Sequence, residues 1–374
     1  GAYPEALIDF EKTYKNAQIL FMEQNFRSTP EIIGVADSFV KCNRFRREKT
    51  IRAVNKSGIP VRIVRCERRN AQYDFLCGIA ARNEQQTAAL FRNNDSAVVL
   101  VDMLERNNIP YRLKGGEKTF FTSRPVLDIT EIIRFINNPY DIDSFMAIYY
   151  KIGLYITKQT AEAACKISLQ RHITITDALL GIDTGTQISV NSKRNIQQTA
   201  QLMRQAQSSS ATEVLSIILH GMQYADYAHK NGLDENKYDI LRMLARNVNS
   251  SAELIDRLSE LSGIMAEHKD DSFSKFTLST VHSSKGLEYD CVYLLDVIDD
   301  VLPCITKDKL NDKEDIKQYE EERRLFYVAV TRARKEWYLF SCKGESSECL
   351  DEIEKNLPIE YTDSNDIFFS LFAR

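Results

Sequence analysis

The sequence lacks the features that define several large classes of protein. It has no run of 18 apolar residues, so no transmembrane helix is predicted. The first 20 residues contain three acidic side chains and no apolar core of the signal-peptide type, which argues against secretion. Only 14 glycines and 8 prolines occur among 374 residues, of which 27% are charged, so collagen-like and wholly disordered chains are excluded.

The sequence also gives little indication of metal binding or of disulfide bonds. The eight cysteines include no CxxC pair, and the five histidines form no HExxH motif. Eight cysteines in 374 residues are too few for a disulfide framework, and none stands at zinc-ligand spacing. We expect reduced thiols, no metal held by this chain, and a cytoplasmic protein.

The formal net charge of −4 gives no overall basic field of the kind that indicates nucleic acid, but the charge is unevenly distributed. Residues 41–70 carry eleven Lys or Arg against two Glu, and residues 296–322 carry ten acids against four lysines. The basic stretch is either a solvated face or a surface that neutralises phosphates. The acidic stretch is typical of a mobile surface loop.

The pattern of apolar residues divides the chain into three parts. Residues 19–118 alternate β-like segments with helical patterns, residues 124–271 show almost only helical periodicity, and β character then returns. We therefore predict an α/β fold: a parallel sheet with helices on both faces, interrupted by an all-helical inserted domain. The predicted strands are residues 19–22, 61–66, 87–91, 110–113, 276–281, 291–297 and 337–340.

The first motif with polar chemistry is Gln-Asn-Phe-Arg-Ser-Thr at residues 24–29, where an arginine stands between a predicted strand and a predicted helix. Ligands bind α/β sheets at the carboxyl ends of strands, and Arg27 can reach a phosphate there with both guanidinium nitrogens. Alone this pattern is weak, because an arginine at a helix start is usually a surface residue.

Two further motifs lie near the end of the chain. Residues 279–290 place hydroxyls, an imidazole and a lysine between two predicted strands, and the alternative interpretation is a plain connecting loop. Residues 320–334 form a helix of alternating charge that ends in Thr-Arg-Ala-Arg, so Arg332 lies near the helix end. Arg323 and Arg324 are expected to pair with the preceding glutamates.

Together the three strings resemble motifs IV, V and VI of the UvrD/Rep/PcrA family, superfamily 1 DNA helicases that move 3′ to 5′ on single strands. They occur in the family's order and at the family's distances. The resemblance implies a C-terminal portion of such an enzyme, with a second RecA-like domain and an inserted helical domain. We find no GxxxxGK[ST] phosphate loop and no Walker B acidic strand, which the family carries on an N-terminal RecA-like domain that is missing here.

The resemblance also implies domain boundaries. They are residues 1–18 as a remnant or linker from the first RecA-like domain, 19–123 and 274–345 as the second RecA-like domain, 124–273 as the inserted domain, and 346–374 as a C-terminal tail.

Roles at a nucleotide site follow from the resemblance in the same way. Phe26 matches the aromatic residue that stacks on adenine, and Arg27 matches the arginine that approaches the γ-phosphate. Arg332 matches the arginine finger. Glu288 matches an acid near the ribose, and Gly286 is expected to give the backbone room there. The implied cofactors are ATP and Mg²⁺, with the Mg²⁺ ligands outside this chain.

The residues implied to bind single-stranded DNA are Thr280, His282, Arg92 and Asn94. Phe91 stands where the family has tyrosine, so stacking is retained while a hydroxyl contact is lost. Core positions for Phe26 and Phe91, and a structural role for His282, remain open alternatives.

A duplex junction is a further candidate partner, but the inserted domain departs from the family there. The family's Gly-Ile-Gly contacts duplex phosphates, and only Gly153 of that pattern remains here. Duplex contacts are therefore absent, or they use Lys151 and Lys158 instead.

Two functions remain open. The first is the C-terminal half of an ATP-dependent DNA helicase or translocase, inactive alone, with a helicase–nuclease fusion as a variant. The second is a non-catalytic DNA- or partner-binding module that retains the fold. For the first, we expect Arg27 and Arg332 at the carboxyl end of the sheet, with both guanidinium groups facing one open surface. Neither is expected to have a fixed acidic partner three or four residues away on its own helix.

Overall fold

The computed structural model describes residues 10–18, 20–43, 49–82, 84–181, 190–267, 271–356 and 359–364. The chain forms two compact units. The first combines residues 1–116 with 267–374, and the second is the continuous segment 117–266.

A seven-stranded sheet forms the centre of the first unit in the described part of the chain, and every neighbouring pair of strands is parallel. The strands are β3 (Arg62–Cys66), β4 (Thr87–Phe91), β5 (Arg112–Lys114), β6 (Phe276–Thr280), β7 (Tyr289–Leu294), β8 (Ala333–Cys342) and β9 (Glu360–Asp363). Their order in the sheet is β5-β6-β4-β7-β8-β3-β9. All five residues of β4 and of β6 are buried, so both faces of the sheet are covered there.

Helices flank this sheet, so the first unit is an α/β domain of the RecA-like kind. Their bounds are α1 (Phe10–Thr13), α2 (Pro30–Val40), α3 (Ala71–Arg82), α4 (Asp95–Arg106), α15 (Lys313–Val330) and α16 (Glu348–Asn356), with a 3₁₀ turn at Lys307–Lys309. Helix α15 packs on α2 and on β8 through aromatic rings. Phe326 lies 4.5 Å from Phe39 and 5.7 Å from Trp337 between ring centroids.

The strand predicted at residues 19–22 is not observed, and Ile19 lies outside the described residues. Leu20, Phe21 and Met22 are exposed and belong to no strand. The segment that pairs lies just after them: β1 (Gln24–Asn25) runs parallel to β2 (Arg52–Ala53) in a separate two-stranded sheet. A strand needs a hydrogen-bonding partner, and the apolar run alone does not supply one.

The segment predicted to be a C-terminal tail is part of the first unit. Helix α16 buries Cys349, Leu350 and Ile353, whose spacing places them on one helical face. Strand β9 then joins the sheet beside β3. This corrects the tail assignment for the described residues up to 364.

The tail also supplies the partner of Arg323, which does not pair with a preceding glutamate as predicted. Its guanidinium donates to both carboxylate oxygens of Glu352, at 2.7 and 2.6 Å, and to Asn43 Oδ1 at 2.7 Å. Arg324 does pair with Glu320, at 3.3 Å, as expected. Arg323 also donates to Phe39 O on α2 at 2.5 Å, so this buried side chain joins α15 to α2 and α16.

The second unit is helical throughout its described residues. Its helices are α5 (Thr119–Thr122), α6 (Arg124–Asn137), α7 (Ile142–Ile148), α8 (Lys158–Arg171), α9 (Ile175–Gly181), α10 (Val190–Ala206), α11 (Ala211–Ser216), α12 (Tyr224–Lys230), α13 (Asn236–Ala245) and α14 (Ser251–Ala266). The helical structure at residues 211–230 is interrupted: a π-helical turn, Ile217–Gly221, follows α11, and Gln223 takes a left-handed conformation before α12.

Several described cations of the basic stretch 41–70 contact other side chains of the protein, so the stretch is not one continuous free surface. Arg62 pairs with Glu360 at 3.1 Å, Arg69 pairs with Asp296 at 2.8 Å, and Arg65 stacks over the ring of Tyr361 at 3.9 Å. Arg44, Arg46 and Arg47 lie outside the described residues. Among the helices that the structure describes, none is both long and apolar enough to cross a bilayer.

Candidate nucleotide cleft and DNA-facing surface

An open cleft of about 960 Å³ lies in the first unit beside the turn that follows β1. Phe26, in this turn, is 69% exposed and lines the cleft. Six charged side chains also line it among the described residues: Arg27, Lys56, Arg334, Lys335, Glu288 and Asp290. The four cations outnumber the two carboxylates, so the cleft favours an anion in a chain whose formal net charge is −4.

The charges along the cleft alternate in sign. Glu288 accepts from Arg27 Nε at 2.6 Å and pairs with Arg334 at 3.4 Å. Asp290 pairs with Arg334 at 3.2 Å and with Lys335 at 3.5 Å. Arg27 thus has an acidic partner that lies 261 residues away in sequence rather than on its own helix.

Arg332 lies beside Arg27 but is not on the open surface where we expected it. Its residue is only 9% exposed. The guanidinium donates to the carbonyls of Val328 and Leu287, each at 3.0 Å, and to the hydroxyl of Thr331 at 3.1 Å. In the described part of the chain no carboxylate oxygen pairs with it. Burial and the positive charge of Arg27 lower the pKa of Arg332, so a nearby anion would stabilise its charged form.

These residues lie at the amino ends of the strands, which corrects the expected carboxyl end. Glu288 directly precedes β7, and Arg332 directly precedes β8. Thr29 N donates to Arg334 O at 3.2 Å and Ser28 Oγ to Ala333 O at 2.6 Å, which attaches the Phe26–Arg27 turn to the start of β8. A residue that precedes a parallel strand lies at that strand's amino end, whatever ligand it serves.

Gly286 has a backbone conformation that favours glycine. Its φ is +89°, and a Cβ atom there would meet no protein atom within 4 Å. The room expected beside a ribose stays a prediction. The left-handed turn sets the direction of Leu287 O, which binds Arg332, and of Glu288, which binds Arg27.

Replacing Gly286 with Ala should lower the stability of this chain by about 1–2 kcal/mol, because an L side chain disfavours this conformation. We expect the melting temperature to fall by about 2–8 °C. Gly34→Ala is the matched control: Gly34 lies inside α2 with open space around it, so alanine there should stabilise by about 1 kcal/mol. Equal melting temperatures for the two variants would contradict the prediction.

The residues expected to face DNA lie at the opposite, carboxyl end of the sheet. Thr280 ends β6 and is buried, and its hydroxyl accepts from Ser283 N at 3.1 Å and donates to Ser283 Oγ at 2.9 Å. His282 follows it and is exposed. Phe91, which ends β4, is fully buried, so it is a core residue rather than a stacking surface.

Arg92 and Asn94 are less accessible than their expected role requires. Arg92 forms three hydrogen bonds of 2.8 to 3.0 Å with the carboxylate of Glu322 on α15, and Glu322 raises the pKa of Arg92. Asn94 is buried before α4, with its Oδ1 unpaired in the structure. Only His282 among the four predicted DNA residues therefore presents an open side chain.

A short connection joins the two ends of the sheet. Residues 281–288, all of them described, run from the carboxyl end of β6 to the amino end of β7 without a helix. In sheet order β4 lies between these two strands. Residues expected to contact DNA and nucleotide thus stand at opposite ends of one eight-residue segment.

In the second unit, Lys151 is not available for the duplex contact considered above. It is buried and pairs with Asp128 at 2.7 Å. Lys158 is exposed and lies 3.8 Å from Glu162. Gly153 lies close to Gln223, since a Cβ atom there would stand 2.8 Å from the Gln223 amide oxygen.

Sequence reasoning missed several residues of the cleft. Asn55 and Lys56 line it from the turn after β2, while Asp290, Arg334 and Lys335 line it from β7 and β8. The polar run Asn-Lys-Ser-Gly at 55–58 is a turn signal that could have been noted, but only pairing of β2 with β1 brings it to the cleft. No group of three metal-ligating side chains was found among the described residues.

Comparisons with known proteins show the family to which this chain belongs. The family model of the UvrD-like helicase C-terminal domain matches residues 20–344. The ATP-dependent DNA helicase PcrA of Staphylococcus epidermidis is 26% identical over 361 residues, covering 91% of this chain and 49% of that protein. PcrA of Staphylococcus aureus is also 26% identical, covering 91% of this chain and 48% of that protein. The chain spans about half the length of the curated relatives it matches.

Proposed function

Because the chain belongs to the UvrD-like helicase C-terminal domain family, we propose that it forms the C-terminal half of an ATP-dependent DNA helicase or translocase. The enzyme moves 3′ to 5′ on single-stranded DNA. The observation that carries this proposal is the buried Arg332, which has no carboxylate partner in the described residues and lies beside Arg27. Buried cations are normally paired, so this one is arranged for an anion that arrives from outside.

The cleft fits a nucleoside triphosphate. The exposed ring of Phe26 offers a stacking surface for the base, and Arg27, Lys56 and Arg334 supply cations for phosphates. ATP supplies the phosphoryl group that is transferred to water, and Mg²⁺ is held by an N-terminal RecA-like lobe. Arg27 orients the terminal phosphate, and Arg332 stabilises the charge that develops on it.

Single-stranded DNA binds at the carboxyl end of the sheet. The exposed His282 contacts it directly, while Thr280 holds the turn that carries His282. Arg92 reaches a phosphate only by leaving Glu322, and Asn94 shapes the start of α4. A duplex junction and the N-terminal lobe are the further partners, and the enzyme acts in DNA repair in the cytoplasm.

The alternative, a non-catalytic module that retains the fold, has no observation in its favour. A module without hydrolysis has no use for a buried, unpaired arginine, because the charge is costly to bury and contributes no ion pair.

The chain alone should show no ATP hydrolysis above a blank, because it contains neither a phosphate loop nor a Walker B strand. The measurement is phosphate release with and without single-stranded DNA. Titration with a fluorescent nucleotide is the positive control. The parent chain should bind the nucleotide, and Phe26→Ala should weaken that binding. DNA-stimulated ATP hydrolysis by the purified chain would contradict the proposal that hydrolysis requires the N-terminal lobe.

A further inference from the structure

Asn55, which no motif includes, holds the turn that carries Phe26 and Arg27. Its amide nitrogen donates to Phe26 O at 3.1 Å and to Arg27 O at 2.9 Å. We propose that Asn55 is a positioning residue for the nucleotide contacts of Phe26 and Arg27. The proposal rests on the nucleotide role proposed above.

Two asparagines hold the turn from both sides: Asn25 on β1 and Asn55 in the turn that follows β2. Asn25 Oδ1 accepts from Arg27 N and Ser28 N, both at 2.9 Å, while Asn55 supplies donors to the two carbonyls. Four consecutive backbone groups of an exposed turn are thereby satisfied by side chains rather than by water. Such a turn is ordered before a ligand arrives, which reduces the entropy lost on binding.

The chemistry of the contact explains why the residue is asparagine. Both partners are carbonyl oxygens, so the group that faces them must be a double donor, and a carboxamide nitrogen has two hydrogens. Aspartate has nearly the same shape but places acceptors against acceptors. Asn55→Asp therefore removes both hydrogen bonds to the turn with little change in side-chain volume.

The segment that carries Asn55 is itself fixed. Val54 N donates to Asn25 O at 2.9 Å, and Gly58 N donates to Glu31 Oε2 at 3.0 Å, with Ser57 also bonded to Glu31. Asn55 thus connects a segment anchored on α2 to the turn that presents Arg27. The backbone of this turn places the Arg27 guanidinium within hydrogen-bonding distance of the Glu288 carboxylate and of Thr331 O.

The test is a double-mutant cycle on ATP turnover in the enzyme that joins this chain to its N-terminal lobe. Asn55→Asp should lower kcat by about 10- to 100-fold, since a displacement near 1 Å of a positioned group costs about that much. Because Asn55 acts through Arg27, the double variant N55D/R27A should be no slower than R27A. Val54→Ala, an exposed neighbour whose side chain makes no hydrogen bond, is the control and should keep the parental rate.

A purely structural role would give a different result. The effects of N55D and R27A would then multiply, and N55D would lower the melting temperature without a selective loss of kcat. Either multiplicative effects or parental kcat in N55D would overturn the proposal.

Hydrogen exchange on the present chain separates this proposal from the proposed function. N55D should speed exchange of the Arg27 and Ser28 amides by about 10-fold, because the grip on their turn is lost. Unchanged exchange would overturn the positioning role even in an active enzyme. If exchange is faster but the protein shows no turnover with its N-terminal lobe, the proposed function is rejected. The role of Asn55 in holding the turn is then still established.

Discussion

Replacing Arg332 with Ala should lower kcat for ATP hydrolysis by about 10³-fold or more in the two-lobed enzyme, with the KM for ATP nearly unchanged. The side chain is buried, and its three acceptors are two carbonyls and a hydroxyl, so its charge is not neutralised locally. A cation in such a site stabilises charge that appears in the transition state more than charge already solvated in the ground state. The measurement is steady-state turnover with saturating single-stranded DNA.

Two variants make this result interpretable. Arg332→Lys keeps the charge but loses the planar fork, so its rate should lie between the parent and Arg332→Ala. Lys313→Ala removes an exposed charge at the start of α15, the helix that ends two residues before Arg332, and should keep the parental rate. Turnover at the parental rate in Arg332→Ala would end the assignment of Arg332 to the motor.

Removing Glu352 should cost the largest amount of stability of any exchange of a charged residue considered for this chain. Glu352→Ala leaves Arg323 buried without its carboxylate, a loss of about 3–5 kcal/mol. For a unit of this size we expect the melting temperature to fall by about 6–20 °C. Asp351→Asn changes an exposed acid on the same helix and should shift the melting temperature by no more than a few degrees.

A double replacement tests whether the pair, rather than the helix, is responsible. Arg323→Met combined with Glu352→Leu removes both charges, so no charge is left unpaired and the loss should be smaller than in Glu352→Ala. A double variant that is less stable than Glu352→Ala would contradict this account.

The same pair makes stability depend on pH. Burial alone would raise the pKa of Glu352, but the hydrogen bonds and charge of Arg323 outweigh it and lower that pKa below its ordinary value of 4.5. A depressed carboxyl pKa contributes stability above the unfolded-state pKa, and the contribution disappears as pH falls through the folded-state pKa. Glu352→Ala should therefore lose most of its difference from the parent in acid.

The sequence was sufficient for elements that the local pattern determines. Strand β4 was predicted at residues 87–91 and observed as Thr87–Phe91, because a short apolar run with polar flanks suits a strand buried on both faces. The predicted helical segment 124–271 likewise begins with helix α6, where a wide apolar stripe recurs at helical spacing. Phe26, Arg27 and Glu288 were also named in advance, and the structure brings them to one cleft.

Features that depend on contacts distant in sequence could not be predicted in this way. The carboxylate that binds Arg92 is 230 residues away, and the one that binds Arg27 is 261 away, so no local spacing indicates either pair. The end of the sheet at which Arg332 lies depends on whether it precedes or follows its strand. The motif could not decide between these two positions, because its helix and strand boundaries were predicted only to within a few residues.

The short connection between β6 and β7 has a consequence for energy transfer. A chain of eight residues spans at most roughly 26–29 Å when fully extended, and part of this one is coiled into a turn. The segment is thus a direct covalent connection between the two ends of the sheet. Under the proposed function, the factor by which bound DNA changes the affinity for ATP must equal the factor by which bound ATP changes the affinity for DNA, because linkage between two binding sites is reciprocal.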